Sequence, residues 1–342
     1  MKGHTPIGEH RRASAAKETG WVLQRRSRGA ALLAVLWLVA GLSAIAFALS
    51  TTVLGETERT STAVQGARCY YVAAGAIERA ILYMQWGPHH KLPGGQSRYF
   101  DPGTPLLNLS FPTGEAQVEI IPETAKLGLN SAPPDVLFRL LTAYGLPLDR
   151  AATLAEAILD WRAPGPHSAR FDQVYLSRTP SFHRPRASFE ETEELLLVEG
   201  MTPDLFYGTY ESDAQGQLHS RAGLRDCLSV LGSTDRFDVN TAHPAVLVAA
   251  GLTPPMADAI AERRRIQPFR TEDELQAFGQ ASGRLRIGGN SIYTLRATAR
   301  LRLENGQLSD TRRSVAALVK FMPPGYDATY HILRWYDNAW KN

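Results

Sequence analysis

From Gly29 to Gly55 the chain carries no charged side chain. As a helix this run exceeds the ~20 apolar residues that span a bilayer. Its core, AALLAVLWLVAGLSAIAFAL, has one stable home, a helix in lipid, where each backbone group finds its partner within the segment. The run is longer than the roughly 7–15 apolar residues of a cleaved secretory signal. Arg25, Arg26 and Arg28 stand directly before it and hold the N-terminus in the cytoplasm. The rest of the 342-residue chain must therefore fold outside the membrane, and it is long enough for two or three cores.

Charge follows the same division. The formal net charge is +3, but residues 1–29 hold Lys2, Arg11, Arg12, Lys17, Arg25, Arg26 and Arg28 against only Glu9 and Glu18. The basic character belongs to this leader, and the remainder is slightly acidic, which gives no support to nucleic-acid binding. The two cysteines, Cys69 and Cys227, belong to no Cys/His cluster with metal-ligand spacing. Their pairing stays open, since sequence does not show proximity.

Glu56 to Trp86 contains no proline, and Tyr70, Ala73, Ala74, Ile77, Ile81 and Met84 fall at helical spacing. One helix is predicted from about Ala30 to Trp86, half in the membrane and half amphipathic. Residues 87–114 are rich in Gly and Pro and read as a loop. Ala116–Ile121 reads as a short strand, and the pattern is then helical to about Gly283.

That middle contains a repeat. Leu129-Asn130-Ser131-Ala132-Pro133-Pro134 matches Val239-Asn240-Thr241-Ala242-His243-Pro244, and each copy continues through Gly-Leu (145–146; 251–252) and Ala-Ile (157–158; 259–260) to an arginine, Arg162 or Arg264. Ser131 and Thr241 are expected N-caps. Each unit resembles a helix-hairpin-helix. The second glycine of a phosphate-binding hairpin is missing, and prolines have removed amides there. Arg263, Arg264 and Arg265 read as a solvated face.

Tyr293 to Leu303 alternates with period two, Tyr293, Leu295, Ala297, Ala299 and Leu301 on one face and Arg296, Arg300 and Arg302 on the other. Asn305-Gly306 supplies a hairpin turn. Val315, Ala317, Val319 and Phe321 line the return strand, and Tyr330–Tyr336 reads as a last strand. The arginines, with Arg312 and Arg313, read as a solvated sheet face.

Several of these features together resemble a known family. Arg25-Arg26-Ser27-Arg28-Gly29 before Ala30-Ala31-Leu32-Leu33 is similar to a type IV prepilin signal, which a membrane peptidase cuts after the glycine. Leu127-Gly128-Leu129-Asn130 with Ala132, Ile158-Leu159-Asp160-Trp161-Arg162, Glu194-Leu195-Leu196-Leu197-Val198-Glu199-Gly200 and Asp238-Val239-Asn240-Thr241-Ala242 resemble general secretion pathway protein K, a minor pseudopilin of type II secretion. The resemblance runs from about Arg25 to Phe321. It implies an α+β fold, a pilin-like long N-terminal helix packed on an antiparallel sheet, with a large all-α insertion holding two helix-hairpin-helix-like (SAM-like) repeats. The implied parts are a cleaved leader (1–29), the transmembrane part of the helix (30–55), a first pilin-like part (56–124), the insertion (125–285) and C-terminal strands (286–342).

The resemblance also implies a role at the tip of an envelope fibre. Cleavage between Gly29 and Ala30 puts Ala34 at the fifth mature position, where most pilins carry a glutamate that pairs with a neighbour's N-terminal amine. Protein K also lacks that glutamate. A charge in lipid persists only with a partner, and a subunit with none above it can dispense with it. Implied partners are the minor pseudopilins I and J, the major pseudopilin, the prepilin peptidase and the inner membrane, with exported proteins a further class. The family often carries acids after Asp-Trp suited to calcium. Here Asp160-Trp161 is followed by a basic, Pro-rich stretch, and no calcium ligands or other cofactors are assigned.

No GxSxG, HExxH, P-loop or GxGxxG is present, so no enzyme is expected. His89-His90, Asp160, Trp335, Tyr336 and Trp340 read as loop, helix-end and packing residues. A membrane-tethered DNA-uptake protein, a minor type IV pilus component and an envelope hydrolase remain as alternatives. Salt-dependent DNA shifts and the neighbouring genes separate these readings. Gly29→Val is expected to block processing, since a branched side chain crowds a site that accepts glycine. N-terminal sequencing of the mature protein should begin at Ala30, and a start at Met1 or beyond Ser50 contradicts the prepilin reading.

Overall fold

The structure is a computed structural model describing residues 27–165, 169–213 and 215–339. Arg25 and Arg26, expected in a leader, lie outside the described residues, as does Trp340. The chain divides into one unit ending at Val64 and another beginning at Gln65.

Helix α1 (Ser27–Trp86) is 60 residues long, as the absence of proline predicts. In the first unit every side chain from Ala30 to Leu54 is exposed, Trp37 and Phe47 among them. Mean hydropathy reaches 2.5, and the helix is long and apolar enough to cross a membrane.

In the second unit the helix has one buried face. Ala73, Ala76, Ile77, Ala80, Ile81 and Met84 pack on a sheet through Val118, Ile120, Leu295, Ala297, Val315, Ala317 and Val319. The three-and-four spacing makes this stripe, and its alanines let the helix lie close. The sheet is antiparallel, with order β1 (Leu106–Phe111), β2 (Gly114–Pro122), β9 (Ile292–Arg302), β10 (Leu308–Phe321) and β11 (Tyr330–Tyr336). Alternation in β9 appears as expected, with Leu295, Ala297, Ala299 and Leu301 buried. Gly306, at φ 81°, makes the turn into β10, and its amide bonds Leu303 O at 2.8 Å.

Three expectations about the sheet and the make-up of the insertion need correction. Residues 87–114 are not all loop. Leu106–Phe111 forms β1, an edge strand paired from Leu106↔Glu119 to Phe111↔Gly114. The arginine face of the sheet is not uniformly solvated. Arg296 is mostly buried and meets Glu119 Oε2 at 3.6 Å and Asp226 Oδ1 at 3.5 Å. Asp226 belongs to the insertion, so that layer covers the sheet face opposite the helix.

The third correction concerns the insertion, which is not all helix. Between β2 and β9 run β3 (Leu127–Gly128), α2 (Pro134–Ala143), α3 (Leu148–Arg162), α4 (Ala169–Ser177), α5 (Pro203–Tyr207), β4 (Gly208–Ser212), β5 (Leu218–Ala222), β6 (Leu228–Ser229), β7 (Phe237–Asp238), α6 (Pro244–Ala249), α7 (Pro254–Ile266) and β8 (Leu285–Arg286). β3 pairs β6 and β7 pairs β8 in parallel, while β4 and β5 form a hairpin. Strands of two residues carry no periodicity that a sequence reading can detect.

The two sequence repeats fold alike. Asn130 Nδ2 donates to Phe189 O at 2.9 Å and its Oδ1 accepts from Phe189 N at 2.8 Å. Asn240 makes the same pair of bonds with Phe269, at the same distances. Arg162 donates to the carbonyls of Leu129 and Ala132, and Arg264 to those of Val239 and Ala242. Gly145 (φ 104°) and Gly251 (φ 109°) end α2 and α6. The following amides, Leu146 N and Leu252 N, reach back to Leu141 O and Leu247 O at 3.1 Å. This left-handed helix stop favours glycine. Ser131 and Thr241 are not the N-caps. Pro133 and His243 occupy that position, and Thr241 Oγ1 donates to Asp238 Oδ2 instead.

Ile77 is fully buried between the helix and the sheet. Ile77→Ala should cost about 2–5 kcal/mol, read from urea unfolding, whereas the same change at exposed Leu82 should cost well under that.

Candidate functional site

Of the residues implied in processing and assembly, Arg28, Gly29, Ala30 and Ala34 lie on α1, while Arg25 and Arg26 lie outside the described residues. Ser27 to Ala30 is helical, with the Arg28 and Gly29 side chains outside the described residues. Ala30 and Ala34 are exposed on the apolar helix. No carboxylate stands at Ala34 or elsewhere between Gly29 and Gly55.

The second feature is the junction where the insertion leaves and rejoins the sheet. Pro122 and Tyr293 are register partners, so both crossings lie side by side. Glu123, next in the chain, is almost fully buried. Its Oε1 accepts from Thr294 Oγ1 at 2.6 Å and Lys126 Nζ at 3.0 Å, and Ser229 Oγ donates to Oε2. One carboxylate thus ties β9, β6 and its own turn together. Burial alone pushes its pKa up, but the Lys126 charge and three hydrogen bonds outweigh it and hold the carboxyl below its ordinary value.

Beside this junction a cleft of about 820 Å³ opens between the outer sheet face and the insertion. Its walls include Tyr207, Tyr210, Arg296, Leu333, Arg334 and Tyr336. Arg334 on edge strand β11 pairs with Glu191 and lies 3.5 Å from Glu193.

The remaining sequence candidates serve the fold. Arg263 pairs with Glu274 and lies 4.1 Å from the Phe269 ring centre. Arg264 is turned inward onto backbone carbonyls, which corrects its reading as a solvated residue. Arg265 meets Glu262 at 3.2 Å. The two inward-turned, half-buried arginines, Arg162 and Arg264, were legible in the repeat, since both copies carry one at the same place. His89 and His90 are exposed, and His90 Nδ1 lies 3.2 Å from Trp86 O. Trp335 Nε1 donates to Tyr70 Oη at 3.2 Å and so fastens β11 to the helix. Cys69 and Cys227 are free and buried. Among the described residues, no group of three or more His, Cys, Asp or Glu side chains is placed to hold a metal.

A long N-terminal apolar helix, the later turns of which pack on an antiparallel sheet, defines an α+β fold. Residues 113–208 match the family described as Type II secretion system (T2SS), protein K. The fold matches a chain from the crystal structure of the GspK-GspI-GspJ complex of the enterotoxigenic Escherichia coli type 2 secretion system. That match has TM-score 0.50 and 17% identity, and covers 83% of this chain and 99% of that one. No curated protein sequence matches. The match to the protein K family over residues 113–208 takes in the motifs around Asn130, Trp161 and Glu194 that carry the resemblance in the sequence.

The junction has a pH signature. Because the folded pKa of Glu123 lies below the unfolded one, its stabilisation is complete above the ordinary glutamate range. It is lost as pH falls through the folded value. Glu123→Ala should cost about 3–5 kcal/mol at neutral pH and should flatten the acid limb of a stability–pH profile measured by urea unfolding.

Proposed function

We propose that this chain is the subunit that caps the tip of the type II secretion pseudopilus and takes part in protein export across the outer membrane. The observation that carries the reading is the size and position of the insertion. It enters between β2 and β9 and covers the sheet face opposite the helix. A layer of this bulk repeated along a thin fibre meets the next subunit, whereas at the tip nothing lies above it. Ala34 agrees, since a subunit with no upper neighbour has no amine to pair with a carboxylate there.

On this reading the exposed apolar helix from Ala30 holds the precursor in the inner membrane as a single span, with the bulk of the chain in the periplasm. The prepilin peptidase cuts after Gly29, and the mature helix then packs among those of neighbouring subunits. The partners are the I and J minor pseudopilins, in line with the complex from which the matched structure comes, and the major pseudopilin below them.

The test is stoichiometry. Full-length protein extracted from membranes should co-purify with I and J in a one-to-one-to-one complex, and quantitative blotting should find it scarce relative to the major pseudopilin. Abundance equal to the major subunit contradicts the cap assignment.

A further inference from the structure

The first half of the insertion carries an excursion that the second lacks. In the second copy the chain passes from Arg264 to Phe269 within a few residues, whereas from Arg162 to Phe189 it makes a detour through α4. The detour's only acid is Asp172, and the next one back is Asp160 in the last turn of α3.

One guanidinium joins these two carboxylates. The Arg184 side chain is fully buried. Its Nε donates to Asp172 Oδ1 at 2.8 Å, and its Nη1 lies 2.8 Å from Asp160 Oδ2 and also donates to the Asp160 carbonyl. Arg186 Nη2 takes the other Asp172 oxygen at 2.9 Å. The positive charge therefore sits between the C-terminal end of α3 and the N-terminal turn of α4. Trp161 closes over this region, edge-on to Tyr175 at 5.5 Å and stacked with Phe189 at 6.0 Å. In such surroundings a charge pair is strong, and a charge left alone is costly.

The family resemblance implies a hard cation after Asp-Trp, and calcium asks for about six to eight oxygens. The residues here do not fit that demand. The carboxylates of Asp160 and Asp172 already face guanidinium nitrogen, and no further acid lies between Asp160 and Glu190.

We propose that Arg184 is the built-in cation of this excursion, bridging Asp160 and Asp172 so that the first half of the insertion holds its shape without calcium. The proposal stands apart from the tip assignment.

The test is thermal unfolding of the full-length protein in detergent, with calcium chloride and with a calcium chelator. The wild type should melt at the same temperature in both. Arg184→Gln should melt roughly 10 °C lower, and Arg184→Lys, which keeps the charge without the fork, should fall in between. If Arg184→Gln yields no folded protein, the Arg184→Lys melt and the wild-type calcium comparison decide. A wild-type midpoint that rises with calcium, with the rise abolished in Asp172→Asn, overturns the proposal, as does an Arg184→Gln or Arg184→Lys protein that melts with the wild type.

Discussion

The pairing of β2 with β9 is the interaction on which the second unit depends. It joins Gly114–Pro122 to strand Ile292–Arg302 across the whole length of the insertion. Without that ladder the Val118, Leu295 and Ala297 side chains share no face, and the stripe from Ala73 to Met84 has nothing to bury against. Closing so long a loop costs little more than closing a shorter one, because the entropy grows only with the logarithm of its length. The two crossings lie side by side at Pro122 and Tyr293, so a large insertion fits between neighbouring strands without parting them. Glu123 sits at that point, bonded to the sheet through Thr294 and to the insertion through Ser229.

The insertion is itself a duplicated solution to one problem. Each half must turn from a short parallel strand into a helix, and the turn leaves carbonyls inside the protein that need donors. In both halves an arginine from the second helix reaches back to two of them, and an asparagine clamps a phenylalanine backbone. Arg162 and Arg264 thus act as backbone donors, which is why an arginine recurs there. The same geometry turns Arg264 away from solvent and leaves the run 263–265 without the shared outward face that a phosphate-binding patch requires.

Much of this was legible in the sequence because it rests on local period and local turn chemistry. The proline-free stretch to Trp86, the alternation of β9 and the Asn305-Gly306 turn each report their own structure. The repeat was legible because two copies of one unit share its obligatory residues. What escaped notice depends on distant partners. Leu106–Phe111 is a short edge strand flanked by Pro105 and Pro112, and its apolar alternation at Leu107, Leu109 and Phe111 was the signal available. The two-residue parallel pairs have no period at all. Arg296 looked solvated because nothing near it in the chain predicts Asp226 above it. Of the residues the resemblance singles out, Ala34 was legible as an uncharged position, while the bridge from Arg184 to Asp160 and Asp172 was not, since its three members lie on separate segments.

The proposed tip role rests on a helix-and-sheet body with a bulky insertion on the opposite sheet face, which a thin fibre would accommodate only at its end. The exposed turn between β4 and β5, near Gly216, offers a place for an epitope on that insertion. The direct measurement is immunogold electron microscopy of assembled pseudopili carrying that epitope. The account predicts a single label at one end of each fibre. Labels spaced along the fibre length would contradict it.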